Sequence, residues 1–297
     1  MRKTAVRGAL VALLLAAASG ELSSQAQQRS LYVSVLDRSG VPVADVARSD
    51  LTVREDKVER EILSVARAGE PLHVALLVDN SQAADPYIRE YRDALAGFVT
   101  AIAGDQAVSG NQVSIITLAD RPTVAIDYTS NVEGLTKEAR RVFAFRGSGS
   151  YLLDAILETL TGFRKREVSR PAIVAVITAG PDLSYRHYEE VVEALRGSGA
   201  TFHVIVVGRP IGVEVDRSVV LSAGTHDTGG RYENVLAASA LSARLKQVAD
   251  DLTHQYKVTY ARPQTLIPPE RITVAAAKEG LTVRGIPVKG EHEQGRP

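Results

Sequence analysis

Three short stretches of this chain are apolar almost without interruption: Val74-Ala75-Leu76-Leu77-Val78, residues 172–177 (Ala-Ile-Val-Ala-Val-Ile) and residues 202–207 (Phe-His-Val-Ile-Val-Val, broken only by His203). A strand with one wet face alternates apolar and polar side chains, whereas a run like these has to be covered on both faces. Segments with helical spacing lie between them. Ile88, Tyr91, Leu95, Phe98, Val99 and Ile102 recur every three or four residues, which places them on one helix face. Leu152, Ala155, Ile156, Thr159 and Leu160 do the same, as do Tyr188, Val191, Val192 and Leu195. Buried strands alternating with amphipathic helices predict an α/β fold, a Rossmann-like, open, mostly parallel sheet with helices on both faces.

The helix boundaries are signalled locally. Asp85-Pro86 reads as the N-cap and first residue of a helix. Ser130 and Glu133 have capping-box spacing for a short helix to about Phe143. A helix over 185–196 is stopped by Gly197 and Gly199, and further helices are predicted over 151–163, 218–223 and 238–252. Residues 113–118 and 123–128 read as strands joined by the turn Asp120-Arg121-Pro122, which predicts one antiparallel strand at a sheet edge.

The flanks differ in character. Strands are predicted over 31–36, 51–56 and 62–66 before the α/β region, and over 255–260, 271–274 and 281–284 after it. The later three alternate, so each has one wet face. Neither group is large enough to stand alone, and the two are expected to complete one small β unit together. The resulting division is a leader at 1–26, an N-terminal β segment at 29–69, the α/β domain at 70–252, a C-terminal β segment at 253–290 and a polar, disordered tail at 291–297.

The leader joins Arg2, Lys3 and Arg7 to an unbroken apolar run over 9–17 and then to small and polar residues ending Ser24-Gln25-Ala26. That is the pattern of a cleaved secretory signal, and it predicts an exported protein, periplasmic or secreted, with no membrane span after its removal. Lys plus Arg equal Asp plus Glu at 35 each, so there is no general attraction to nucleic acid. The run Arg164-Lys165-Arg166 reads as a solvated helix end. With no cysteine, disulfides, thiolate metal sites and a lipidated N-terminal cysteine are excluded. The six histidines show no metal-ligand spacing, and neither a Gly-x-Ser-x-Gly elbow nor a phosphate loop ending in Lys is present. His73 and His203 read as packed strand residues. The chain is therefore expected not to be an enzyme.

Ligands of open α/β sheets bind beyond the carboxyl ends of the strands. There the sequence places Asp79-Asn80-Ser81-Gln82-Ala83, then Gly147-Ser148-Gly149-Ser150, then Thr178-Ala179-Gly180-Pro181-Asp182. In order and spacing these loops resemble the von Willebrand factor A family. That family carries a metal-ion-dependent adhesion site with Asp-x-Ser-x-Ser in its first loop, a Thr in its second and an Asp before Gly in its third. The resemblance implies Asp79, Ser81 and Ser150 as the surviving ligands of a degenerate site, with Ala83 and Ala179 standing where the family has its second Ser and its Asp. The flanking residues 33–56, 229–232 and 255–256 resemble an exported, von Willebrand factor A-related subgroup often found in Acidobacteria.

The resemblance implies a protein partner bound on the loop rim, where Asn80, Gln82, Tyr151, Asp182, Tyr185 and Arg186 would make contact, with Asp85 and Tyr87 close by. No cofactor is expected. The alternatives are Mg-dependent ligand binding through the reduced site, with Asp182 swinging inward as a substitute ligand, and a structural or assembly role in the cell envelope. If no cation is held, Asp79 is expected to cap backbone N–H groups of its own loop.

Overall fold

The computed structural model describes residues 27–209, 214–263, 269 and 271–287, so the leader at 1–26 and the tail at 291–297 lie outside the described residues. The central sheet is built of β5 (Leu72–Val78), β6 (Gln112–Thr117), β7 (Thr123–Thr129), β8 (Arg170–Thr178), β9 (Thr201–Val207) and β10 (Tyr232–Val235). Its order is β10-β9-β8-β5-β6-β7, parallel throughout except for the β6–β7 pair at one edge. The fold is the expected mostly parallel α/β sheet, and the antiparallel exception falls where the short turn at 120–122 required it.

The uninterrupted apolar strands are buried on both faces. Val74, Leu76 and Val78 of β5 pack beneath α1 (Ile88–Ala103), α2 (Val132–Arg141) and α7 (Leu241–Thr253). Ala75 and Leu77 point the other way, into α3 (Leu152–Lys165) and α4 (Tyr188–Arg196). The chain leaves β5 toward β6 and later returns on its other side to β8. The crevice between β5 and β8 is therefore the point where strand order reverses, and the first and third loops meet there.

Several boundaries differ from expectation. Asp85-Pro86 lies inside a tight 3-10 segment, Gln82–Tyr87, and α1 starts only at Ile88, so Ser81 rather than Asp85 precedes the first turn. Asn131, not Ser130, caps α2, its side chain accepting from Gly134 N at 3.0 Å. Tyr185 precedes α4, which begins at Tyr188. Residues 215–227 form α5 (Val215–Val219), a π-turn (Val220–Gly224) and α6 (Thr225–Asp227) instead of one short helix.

The chain ends do combine, but in two sheets rather than one. β13 (Thr282–Pro287), β1 (Gln27–Leu36), β11 (Tyr256–Arg262) and β4 (Ile62–Arg67) form a four-stranded antiparallel sheet in that order. β12 (Ile272–Ala276), β2 (Leu51–Glu55) and β3 (Val58–Arg60) form a three-stranded one. Leu31, Val33, Val53, Val258 and Tyr260 fill the space between them. β3 was not foreseen. Asp56 and Lys57 have φ of 48° and 73°, which turns the chain within two residues into a hairpin.

This β unit sits at the end of the central sheet opposite the loop tips. Arg170, the first residue of β8, is buried there. It donates to Leu252 O, to Gln255 Oε1 at 3.1 Å and to Glu70 O at 3.3 Å. Arg231 binds Asp251 through two nitrogens, and Arg284 of β13 approaches the same carboxylate at 4.0 Å.

Candidate functional site: the loop tips beyond β5 and β8

Asp79 is the first residue after β5 and is 1% exposed. Its Oδ1 accepts from Ser81 N at 2.9 Å. Its Oδ2 accepts from Thr178 N at 3.0 Å and from Thr178 Oγ1 at 2.5 Å. The carboxylate thus caps its own loop, as expected, and also pins that loop to the end of β8. An ionised carboxylate offers about four acceptor positions, and three are taken. Thr178, the residue that completes this latch, was not singled out from the sequence. The available signal was a hydroxyl residue closing an otherwise apolar run.

Ser81 and Ser150 lie on neighbouring loops tied together by Gln82 N donating to Ser148 O at 3.4 Å and Gly147 N to Gln82 Oε1 at 2.9 Å. Ser150 also bridges to Ala119 and Asp182 on either side. The two serines are 1% and 3% exposed, and the hydroxyl of each is buried without a hydrogen-bond partner. The three segments bearing Asp79, Ser150 and Thr178 therefore converge.

The remaining residues divide into staples and rim. Asn80 is buried: its Oδ1 accepts from Leu118 N and Ala119 N at 3.2 and 2.9 Å, and its Nδ2 donates to Phe143 O at 3.3 Å. It staples the ends of β5 and β6, and so it is not a rim contact. Asp182 does not turn inward. Its oxygens accept from Leu152 N at 2.8 Å and Ser184 N at 3.0 Å, which caps the start of α3. Burial pushes the Asp182 carboxyl above its usual value, against the pull of these bonds. Tyr151 precedes α3, half-buried, its N–H donating to Leu118 O at 3.0 Å. Gln82, Tyr185 and Arg186 are exposed, Tyr185 by 95%. Arg186 pairs with Asp154 at 2.6 Å and Glu190 at 3.5 Å. Asp85 is exposed, and the Tyr87 ring lies under Gly208.

Two further features were not foreseen. Arg217, on α5, reaches beneath the third loop and donates to Thr178 O and Gly180 O, with Glu214 at 3.7 Å. Glu214 in turn accepts from Asp182 N at 3.2 Å. Phe143, Phe145, Leu183 and Tyr185, on or beside these loops, are exposed apolar side chains. Phe145 N donates to Asn80 O at 2.7 Å, and a Cβ on Gly149 would come within 2.6 Å of Leu183, so these two residues adjoin the first and second loops.

A hard divalent cation takes about six oxygens, with carboxylates supplying the charge. Here the crevice offers one carboxylate, largely engaged, and two neutral hydroxyls. Ala179 has no donor, and Ala83 is packed so tightly against the third loop that a Cβ on Gly180 would lie 2.4 Å from its methyl. This donor set fits Mg²⁺ poorly.

The sequence profile of the von Willebrand factor type A domain matches residues 74–181. That segment is a von Willebrand factor type A domain. Among solved structures, a von Willebrand factor type A protein from Catenulispora acidiphila is 10% identical, with 90% of this chain and 75% of that one covered at a TM-score of 0.49. The von Willebrand factor domain of the type V pilus tip protein Mfa5 from Porphyromonas gingivalis is 10% identical, covering 61% and 95% at 0.48. The conserved hypothetical protein BatB from Bacteroides thetaiotaomicron is 18% identical, covering 60% and 97% at 0.44. Likeness at this level carries no functional argument. No curated protein sequence matches the chain.

Proposed function

We propose that this chain is an exported, non-enzymatic module that binds a protein partner on the loop rim of its von Willebrand factor type A domain, without a divalent ion. One observation carries the reading. Tyr185, Phe143, Phe145 and Leu183 stand exposed on or beside loops that Asp79 and Asn80 tie together by hydrogen bonds. Large apolar side chains on a rigid base are what an interface uses as anchors. The loops beneath them are held by Asp79, Asn80 and Asp182, so little ordering has to accompany binding. The export signal read in the leader puts the partner in the periplasm or outside the cell.

A photo-cross-linking side chain at Tyr185, compared with one at Val58 on the distant β3, tests this in the producing cell's envelope fraction. The rim reading expects a discrete adduct at 185 that is absent at 58 and is lost in Phe145→Ala. Equal adducts at both positions would instead support a scaffolding role. A thermal melt with millimolar Mg²⁺ or with EDTA tests the metal, because a ligand that binds only the native state raises its midpoint. A rise of several degrees with Mg²⁺ would restore the adhesion-type alternative.

A further inference from the structure

The neighbouring loops inside the rim carry three oxygen acceptors with capacity to spare. They are the hydroxyls of Ser81 and Ser150, buried and unpartnered, and the remaining lone pair of Asp79. Serine hydroxyls left without partners in a buried place are costly unless something fills them. The charges around them are lopsided. Asp79, Asp182 and Glu214 face a single guanidinium, Arg217, and that guanidinium is held behind the loop by two backbone carbonyls. An acidic ligand is therefore repelled, and a cation is drawn in.

From this, and resting on the rim reading above, we infer that the crevice is a socket for a primary alkylammonium, the lysine side chain of the protein partner. An ammonium presents three N–H donors and needs no further oxygens, which matches Ser81 Oγ, Ser150 Oγ and Asp79 in number. A divalent ion needs about twice as many, and more anionic charge. A guanidinium is the poorer match, since its planar fork wants both oxygens of one carboxylate and those of Asp79 are already engaged. The rim completes the argument. A lysine has an apolar stem that can lie along apolar side chains while its charge reaches a polar site, and Phe143, Phe145 and Leu183 stand exposed on the neighbouring segments. The partner thus brings its own cation to a site that lacks the ligands for a metal.

The test uses the full chain and small probes. Backbone amide resonances of residues 79–83 and 148–151 are followed while n-butylammonium is added, with n-butanol, butyrate and tetramethylammonium as controls. The socket expects saturable shifts with n-butylammonium at a dissociation constant on the order of 1 mM, and none with the neutral, anionic or N–H-free probes. The Ser81→Ala/Ser150→Ala variant, which retains the latch, should bind about tenfold more weakly, a loss of about 1.4 kcal/mol. Equal response to tetramethylammonium, or an unchanged double variant, overturns the socket. The source of the cation is tested by acetylating the lysines of the partner fraction. Loss of the Tyr185 adduct supports a lysine, and its persistence overturns that assignment while leaving rim binding intact. Absence of any rim adduct defeats the rim reading, and with it the lysine, whereas the n-butylammonium titration still reports on the crevice alone.

Discussion

At the scale of single residues, Asp79 works as a latch. In the metal site implied by the sequence resemblance it would spend its charge on a cation. Here it accepts three hydrogen bonds and holds β5 to β8. Asp79→Asn must place an amide NH₂ where one oxygen now accepts, so at least one bond is lost and a buried donor faces another. It should cost about 1–3 kcal/mol, read from urea unfolding. Thr178→Val, which removes only the hydroxyl, should cost about 1 kcal/mol. The serines should behave oppositely. Ser81→Ala and Ser150→Ala each remove a buried, unpartnered hydroxyl, so unfolding free energy should stay level or rise by up to about 1 kcal/mol. If either serine variant is as damaging as Thr178→Val, these hydroxyls are bound within the fold and the crevice has no spare acceptors.

At the scale of elements, the third loop shows which part of the site could be read in advance. The apolar runs that became β5, β8 and β9 were legible because burial on both faces leaves a continuous signature. The loop positions followed, since ligand-bearing loops lie where such strands end. What could not be read was the partner of each loop side chain. Arg217 lies 39 residues beyond the carbonyl of Thr178 that it binds, on an element broken by a π-turn, and no local pattern marks it. The family resemblance placed Asn80 on the rim, yet it is consumed by strand-end amides that need a buried acceptor. Gly180 is similarly cryptic. Its reason is contact with Ala83, and a Cβ there would come within 2.4 Å of the Ala83 methyl. Gly180→Ala should therefore push the first and third loops apart and cost about 1–3 kcal/mol in urea unfolding. It should also weaken n-butylammonium binding, because the latch and the socket share those loops.

At the scale of the whole molecule, the two chain ends close a β unit joined to one end of the α/β domain. The joint between them is polar and buried. Asp251 receives Arg231 through two hydrogen bonds and Arg284 at 4.0 Å. His203 accepts from Arg231 N at 3.2 Å and is fully buried on β9. Burial first, then the charges of Arg284 and Arg231, pull the His203 imidazole from its ordinary 6.5 to about 3. The folded state thus holds a neutral ring while the unfolded state takes up a proton below pH 6.5. Stability from this group is complete above that pH and is lost as pH falls from about 6.5 toward 3, by up to about 1.4 kcal/mol per unit. His203→Gln, which retains an acceptor but does not titrate, should flatten the pH dependence of unfolding in that window. The same joint should decide whether the two units unfold together. The chain has no tryptophan, so a single Trp at Tyr232 on β10 and another at Val41 in the β unit report the units separately, both from exposed positions. In the wild-type background the two probes should show one midpoint in urea. Asp251→Asn leaves the half-buried Arg231 with only Glu233, at 3.6 Å, and takes from Arg284 the carboxylate at 4.0 Å, which should cost about 1–3 kcal/mol and split the midpoints. Coincident midpoints in that variant would mean that the apolar contacts, not this charge cluster, couple the β unit to the domain.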